Sequence, residues 1–448
     1  MPRCVMGVTC RASLVNGRQH PASSGPQRSE LRQNDPFAAL DLGGAAAHDF
    51  AMTEHFTGNF TQQEPLPEEA ITAAVEVMRH GRIHRYNLAG AEAGEVALLE
   101  QEFAAQVGAK YCLAVASGGY ALATALRAVG VAHGDKVLTN AFTLAPVPGA
   151  IASVGAEPVY VGVTEDLTID LADLAAKAGE ARVLMLSHMR GHLCDMDRLM
   201  EICDAAGIIV IEDCAHTMGA AFKGIQSGRH GLIGCYSTQT YKHMNSGEGG
   251  FLVTDDAETM ACAIILSGSY MLYERHRAAP PPEVFERVKY VTPNISGRMD
   301  NLRAAILRPQ IATLQDRIDG WNARYAHVEE GLSNCPGLRT ICHHADAVQV
   351  GSSIQFLLPE WPAEKITDLL LRCAKRGVEL KWFGKAEPIA FTSRYDSWQY
   401  FPSDKLPRTD RILAGLVDMR LPLTFSLADC DLISRIIREE VSILYQAK

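Results

Sequence analysis

Lys242 and Asp213 are the two residues whose types and positions point most directly to chemistry. Asp213 and the preceding Glu212 follow an apolar run at 208–211, and Lys242 lies further along, just before the glycine-rich turn Gly247-Glu248-Gly249-Gly250. A buried amine can bond an aldehyde and then carry protons, and a carboxylate can keep a ring nitrogen protonated. A solvated surface lysine is the alternative for Lys242, but such a lysine needs no turn that permits close backbone approach.

An anion-binding turn is indicated upstream, where Ser117-Gly118-Gly119-Tyr120 joins a strand-like run at 112–116 to a helix-like run at 121–129. Small residues let backbone amides approach an anion, and a helix N-terminus adds partial positive charge. An ordinary strand-to-helix turn is the alternative. With Lys242 and Asp213, this turn predicts a site for pyridoxal 5'-phosphate (PLP), which needs a lysine for its aldehyde, an acid for its ring nitrogen and amides for its phosphate.

Two further side chains are candidates for the same site. His216 follows Asp213 closely and could contact the cofactor ring or its phenolic oxygen, or could be a structural histidine. Ser237 could donate its hydroxyl to the phosphate, or be an ordinary strand-end serine. For Asp213 itself, a helix cap or a metal ligand is the alternative. The chain shows neither GxGxxG nor a Walker lysine near the turn, so dinucleotide and nucleoside triphosphate sites are not predicted.

Composition limits the class of protein. The chain has 448 residues, of which 47% are hydrophobic and 21% charged, which is typical of a globular protein large enough for two domains. Its net charge of −10 argues against nucleic acid or an anionic membrane as a partner. The twelve cysteines form no CxxC pair, which predicts reduced thiols in a cytoplasmic protein. No apolar stretch reaches the length of a membrane span.

The elements that would position these residues alternate between strand and helix. Short apolar runs and helix-period segments follow one another from 112 to 211, which predicts an α/β fold with a mostly parallel sheet wrapped by helices. Ligands bind such sheets at the carboxyl ends of the strands. The prolines at 280–282 predict a surface loop. A long helical stretch at 301–332 is expected to lead into a smaller α+β domain, with a strand at 353–358 and a helix at 363–376.

The predicted organisation has three parts. Residues 1–52 are rich in Arg, Ser, Gln and Pro and predict a disordered tail, with a transit peptide as the alternative. Residues 53–310 are predicted to form the large PLP-binding domain, including an N-terminal helical segment. Residues 311–448 are predicted to form the small C-terminal domain.

From about Gly81 to Leu314 the sequence resembles the DegT/StrS sugar aminotransferase family, of the aspartate aminotransferase fold type (fold type I). The segments that support the resemblance, in order and at the family's spacing, are Ser117-Gly118, Gly134-Asp135, 155–159, 212–216, Lys242 with 247–250, and 298–305. The resemblance implies PLP bound covalently to Lys242 and paired with Asp213 at its ring nitrogen. It further implies that the phosphate is held by Gly118, Gly119, Tyr120 and Ser237.

The resemblance also implies a homodimer with shared active sites, in which Asn294 reaches the neighbour's phosphate. The family usually stacks an aromatic ring on the cofactor, where this chain has Leu144, with Phe142 two residues earlier. Arg190 stands where a tyrosine is more usual and could bind a substrate carboxylate, or could be a surface arginine. His188 and Lys381 complete the candidate substrate residues.

The predicted function is a PLP-dependent aminotransferase. It would move an amino group from glutamate or glutamine to a keto or aldehyde group of a sugar, sugar acid or cyclitol. A PLP lyase or dehydratase and a non-catalytic regulator of the same fold are the alternatives, although Lys242 and Asp213 are both retained. A metal enzyme using His188, His192, Asp195 and Asp197 is a third alternative, with Asp195 more simply a helix cap.

Overall fold

The computed structural model describes residues 54–90 and 92–446. The predicted tail at 1–52 lies outside the described residues. None of the helices in the described part of the chain has both the length and the apolar character needed to cross a bilayer.

The described residues form α-helices and β-strands in near alternation. The helices are α1 (Glu68–His80), α2 (Glu95–Val107), α3 (Gly118–Ala128), α4 (Pro146–Ser153), α5 (Leu171–Lys177), α6 (Met196–Ala206), α7 (Ala257–Leu266), α8 (Pro282–Val288), α9 (Asn301–Ala312), α10 (Leu314–Leu332), α11 (Ala363–Lys375), α12 (Pro407–Ala414) and α13 (Leu427–Gln446). The strands are β1 (Tyr111–Val115), β2 (Lys136–Asn140), β3 (Glu157–Val161), β4 (Val183–Ser187), β5 (Ile209–Asp213), β6 (Ala221–Phe222), β7 (Ile225–Gln226), β8 (Ile233–Ser237), β9 (Gly250–Thr254), β10 (Arg339–Thr340), β11 (Ala347–Val348), β12 (Ser353–Leu357), β13 (Lys381–Trp382) and β14 (Leu416–Arg420).

The central sheet has seven strands in the order β1-β9-β8-β5-β4-β2-β3. The pairs β8–β5, β5–β4, β4–β2 and β2–β3 are parallel, and β9 runs antiparallel to both of its neighbours. Every residue of β4, β8 and β9 is buried, as expected for a sheet covered by helices on both faces. The predicted α/β fold with a mostly parallel sheet is confirmed, and its strand ends define one edge where ligands bind.

A four-stranded sheet, β10-β12-β14-β13, lies in the C-terminal part of the chain and packs with α11 and α13. The observed β12 and α11 match the predicted strand and helix closely. Phe56 and Phe60, from the start of the described chain, pack edge-on against Phe425 in the same core. The division into domains at 53–310 and 311–448 stays a prediction.

Two sequence-based expectations about elements hold only in part. The stretch at 301–332 is two helices, since Thr313 leaves helical geometry (φ −102°, ψ 3°) and its hydroxyl donates to Gln310 O, which competes with the backbone bond of a continuous helix. The proline segment is not wholly a surface loop. Pro280 is buried and Pro282 begins α8, because a proline has no amide proton to lose in the first helical turn.

Candidate functional site

A cavity of about 630 Å³, called here the main cavity, lies at the carboxyl ends of the central strands. Its size is within the range of sites for small molecules and cofactors. Seven of the predicted cofactor-binding residues line it: Gly118, Gly119, Leu144, Asp213, His216, Ser237 and Lys242. The remaining walls come from α3, α4 and the segment at 388–398, which includes Phe391 and Trp398.

Lys242 presents to this cavity an amine that loses its proton far more readily than an ordinary lysine. Burial, reinforced by Arg190 and Arg420 and opposed by Asp213, lowers the pKa of Lys242 to about 7. Its Nζ lies 2.8 Å from Nε2 of His216, and the Arg190 backbone N–H donates to the other ring nitrogen at 3.4 Å. Burial and Lys242 hold the pKa of His216 well below its usual range, so the histidine is neutral. The pair is therefore suited to a nucleophilic amine rather than to an ion pair.

The glycine-rich turn after Lys242 shapes the loop that presents it. The Thr238 N–H donates to Gly249 O, and the Lys242 N–H donates to Gln239 O at 2.8 Å. Gly247 has φ +78°, and a Cβ at Gly249 would collide with Thr238 Oγ1. The close approach expected from the sequence is thus present, and it fixes the backbone on both sides of the lysine.

The pKa of Lys242 predicts how fast PLP is captured at different pH values. The uncharged amine attacks an aldehyde, and below a pH of about 7 it becomes the minority form. We expect the rate of PLP capture by cofactor-free protein to be level above pH ~8 and to fall about tenfold per unit below pH ~6. Stopped-flow absorbance measures this rate, with N-acetyl-lysine amide as the control amine of ordinary pKa. A protein rate that climbs to pH ~10, as the control does, would contradict the lowered pKa.

Asp213 is held at the end of β5 with its carboxylate towards the cavity. One oxygen accepts the Ala215 N–H at 3.1 Å and the other accepts the Ser187 hydroxyl at 3.2 Å. Burial raises the pKa of Asp213 because it disfavours the charged carboxylate. A cationic N–H group that enters the cavity would stabilise that charged form. Ser187 was missed by sequence reasoning. It pairs in register with Asp213 from the neighbouring strand β4, a relation that one sequence does not reveal.

The anion-binding turn is built as the sequence predicts. Ser117 caps α3 by accepting the Tyr120 N–H at 3.1 Å, and the first-turn amides of Gly118 and Gly119 have no intrahelical acceptor. A Cβ on Gly118 would lie 2.8 Å from the Ser237 Cβ, so glycine lets the helix end and the end of β8 come together. The Ser237 hydroxyl and these amides line the same end of the main cavity and suit a phosphate.

Three candidate cofactor residues lie apart from the main cavity. The Tyr120 hydroxyl donates to Leu266 O at 2.9 Å, which turns its ring away. Phe142 is fully buried and packs edge-on against Phe383, so Leu144 rather than Phe142 faces the cavity. Asn294 is exposed. Their predicted cofactor contacts stay predictions.

His188 also lies apart from the main cavity and does not line the smaller cavity beside it. Its Nε2 is 2.9 Å from a carboxylate oxygen of buried Glu212. Glu212 also accepts three backbone N–H groups, from Gly228, His230 and Gly231, at 2.7–2.8 Å. Burial alone would raise the pKa of Glu212, but these donors hold it below its usual range. The pair secures the loop between β7 and β8, and His188 has a structural partner here.

The four residues of the metal alternative do not converge. His192 contacts Gln355, Asp195 caps α6 through the Arg198 N–H, and Asp197 pairs with Lys223. Within 54–90 and 92–446, the set of possible ligand atoms that do come together belongs to His188, Glu212 and Cys214. Both Glu212 oxygens are already hydrogen-bonded, so the set serves the fold.

Removing the Glu212 side chain is expected to destabilise the protein. Glu212→Ala leaves several buried donors unpaired, at ~1–3 kcal/mol each, so the free energy of unfolding should fall by at least ~3 kcal/mol. Urea unfolding measures the change. The control is Glu201→Ala, which removes an exposed carboxylate paired with Arg198 and should cost under ~1 kcal/mol. Equal losses in the two variants would contradict the role of Glu212.

A second, smaller cavity, called here the side cavity, adjoins the first and shares Leu144, His216, Gln239, Lys242 and Phe391 with it. Its own walls are Arg190, Tyr241, Ser352, Ser353, Lys381 and Arg420. The predicted substrate residues Arg190 and Lys381 thus meet beside Lys242. Arg420, Gln239 and Tyr241 were missed by sequence reasoning. For Arg420 the reason is that it ends β14, in a sheet whose position over Lys242 is set by tertiary packing alone.

The residues of the main cavity fit PLP. A nucleophilic amine, a carboxylate and the free amides of a helix N-terminus face one cavity, which is the set of groups that this cofactor requires.

Comparison with known proteins agrees with this chemistry. The model of the DegT/DnrJ/EryC1/StrS aminotransferase family matches residues 66–438. An L-glutamine:scyllo-inosose aminotransferase from Streptomyces griseus is 32% identical over 52% of this chain and 54% of its own length. A UDP-2-acetamido-2-deoxy-3-oxo-D-glucuronate aminotransferase from Pseudomonas aeruginosa is 31% identical over 57% and 67%, respectively. For other relatives the match spans only about 40% of their length.

Among solved structures, that of 3-amino-5-hydroxybenzoic acid synthase superposes with a TM-score of 0.72 at 25% identity. The superposition covers 86% of this chain and 100% of that one. The predicted PLP fold type I is confirmed by such neighbours.

Proposed function

Because the chain belongs to the DegT/DnrJ/EryC1/StrS aminotransferase family, we propose that it is a PLP-dependent aminotransferase acting on sugars or cyclitols. PLP is the cofactor of this family. The observation that supports the activity most is the meeting of Lys242, Asp213 and the Gly118-Gly119 turn in one cavity. A non-catalytic regulator of the same fold would not require these three features in one cavity.

Each residue has a distinct role in the proposed reaction. When bound, PLP supplies an electron sink that stabilises negative charge on the substrate carbon. Lys242 Nζ would hold the cofactor covalently at rest and, as a free amine, would accept the proton released by the substrate carbon and give it back to complete the transfer. His216, 2.8 Å away, keeps the displaced amine in place. Asp213 keeps the ring nitrogen protonated, and Gly118, Gly119 and Ser237 hold the phosphate.

We propose glutamate or glutamine as the amino donor and a keto or aldehyde group of a sugar, sugar acid or cyclitol as the acceptor. The names of two relatives support this range, since one is an L-glutamine:scyllo-inosose aminotransferase and the other a UDP-2-acetamido-2-deoxy-3-oxo-D-glucuronate aminotransferase. Glutamate and glutamine have the same α-amino acid group and differ only at the end of the side chain. Both therefore present the same amino group to Lys242.

The visible absorption spectrum of the PLP-loaded protein tests this function. We expect bound PLP to give a visible band that disappears on addition of glutamate or glutamine and returns with a keto sugar or keto cyclitol. The donor that removes the band is thereby identified. A protein that takes up no PLP would overturn the proposal, and one that binds PLP but ignores both donors would favour a lyase.

We further propose that the active form is a homodimer in the cytoplasm. Tyr290 and Val291 are 82% and 80% exposed and lie close in sequence to Asn294, the residue expected to contact the neighbour's phosphate. Exposed apolar side chains at this position are suited to a contact with a second copy of the chain. The described cysteines are free thiols, which suits a reducing compartment.

The dimer proposal predicts a change in sedimentation. Tyr290→Asp combined with Val291→Asp places two charges on the proposed contact and should shift the protein from dimer to monomer in analytical ultracentrifugation. Tyr445→Asp, at another exposed tyrosine, is the control and should leave the dimer intact. A wild-type protein that sediments as a monomer at micromolar concentration would refute the dimer.

A further inference from the structure

The side cavity is lined by an excess of positive charge. Arg190, Lys381 and Arg420 face it together with Lys242. The buried carboxylate that accompanies them is Asp418, on the strand that ends at Arg420. Cations gathered in a partly buried space repel one another unless an anion offsets them.

Arg190 is already neutralised. Its Nη2 lies 2.9 Å from the Oδ2 of Asp418, and the other Asp418 oxygen accepts the Gln355 side-chain N–H at 2.7 Å. Gln355 in turn contacts His192 Nε2 at 2.9 Å, so the pair belongs to a buried network. The backbone at Arg190 is left-handed (φ 58°), a conformation that costs free energy for a residue other than glycine. Arg190 therefore is a weaker candidate for a substrate carboxylate than its sequence position indicates.

Arg420 and Lys381 are not neutralised. Within residues 54–90 and 92–446, neither forms an ion pair with a carboxylate; the Arg420 guanidinium lies 3.7 Å from the centre of the Tyr241 ring and the Lys381 Nζ 5.7 Å from that of Phe391. Burial lowers the pKa of both residues, Arg190 adds to the effect, and Asp418 opposes it. Two cations held against aromatic faces in one cavity are well placed to receive an anion.

The backbone fixes both cations relative to Lys242. Strand β13 pairs with β14, with Lys381 opposite Asp418, and Arg420 lies two residues further along β14, so the two cationic side chains share one face of the sheet. Lys242 is one of the five residues that line both this cavity and the main cavity, so it lies where the two adjoin. An anion held by the two cations is therefore next to the reacting amine.

We propose that Arg420 and Lys381 bind a carboxylate group of a substrate and so place its neighbouring carbon beside Lys242 Nζ. A guanidinium presents two parallel N–H groups to a carboxylate, and the ammonium adds a second charge. Only the use of this carboxylate in amino transfer rests on the proposed function; its binding does not. The carboxylate has two sources, the amino donor and an acidic sugar acceptor.

Binding measurements on the PLP-loaded protein distinguish these sources. Isothermal titration calorimetry would use glutarate, which has the carboxylates of glutamate but no amino group to react, together with glucuronate and, as the neutral sugar, glucose. The variants are Arg420→Gln, Lys381→Gln and the charge-retaining Arg420→Lys. The control is Lys136→Gln, since Lys136 is exposed at the amino end of β2, on the opposite edge of the sheet.

We expect at least one acid to bind the wild type more tightly than glucose does. Its Kd should rise about 10- to 100-fold in Arg420→Gln, as for loss of a charge-assisted hydrogen bond, and less in Arg420→Lys. Lys136→Gln should match the wild type. Weakened glutarate binding identifies the donor's carboxylate, and weakened glucuronate binding alone identifies an acidic acceptor.

Two results would overturn the inference: acids that bind the wild type no better than glucose, or acids that bind Arg420→Gln and Lys381→Gln as they bind the wild type. Calorimetry needs no turnover. Suppose that the wild type binds an acid, that Arg420→Gln loses this binding, and that the wild type nevertheless transfers no amino group. That result would refute the proposed function but would still support the carboxylate site.

Discussion

Replacing Lys242 by alanine is expected to reduce amino transfer by at least about 10⁴-fold. The substitution removes the group that bonds the cofactor and also the group that moves the proton. No other lysine lines the main cavity among the described residues. His216 cannot replace it, because imidazole has no primary amine to bond the cofactor and burial, which lowers the pKa of His216, makes its ring a weak base.

Steady-state turnover and chemical trapping together check this expectation. Borohydride reduction of the PLP-loaded wild type, followed by peptide mass spectrometry, should find the cofactor on Lys242. The matched control is Lys381→Ala, which removes the other half-buried lysine of the side cavity and should keep the label on Lys242. A label on a different lysine in the wild type would refute the assignment.

The residues that could be predicted from the sequence are those whose position follows from local rules. Asp213 and Ser237 end the neighbouring parallel strands β5 and β8, and strand ends of one direction share an edge. The Gly118-Gly119 turn and the turn after Lys242 are recognisable because glycine is needed for close approach. Order along the chain and alternation of elements were enough to bring these four features to one place.

The other side of the site depends on packing between distant segments, which one sequence does not specify. Arg420 and Lys381 lie on strands of the C-terminal sheet, and their place beside Lys242 is set by how that sheet meets the central one. The same limit explains Arg190, whose residue type indicated an anion ligand while Asp418, far along the chain, already pairs with it. Charge type is visible in a sequence, but whether the charge is already satisfied is not.

Replacing Asp213 by asparagine is expected to lower kcat by about 10²–10³-fold, the loss typical of one electrostatic group aimed at developing charge. Asparagine has the same shape and can still accept from the Ser187 hydroxyl, so PLP should remain bound. The neutral amide cannot keep the cofactor ring nitrogen protonated, and the cofactor is then a weaker electron sink.

The measurement is kcat for the complete reaction together with the PLP content of each variant. Asp255→Asn is the control, since Asp255 follows β9 at the opposite edge of the sheet and should leave kcat unchanged. Ser187→Ala separates charge from position: it removes one hydrogen bond to the carboxylate and should cost less than about tenfold. If Asp213→Asn and Ser187→Ala lose the same activity, Asp213 acts by position alone; a far larger loss in Asp213→Asn means that its negative charge is the catalytic contribution.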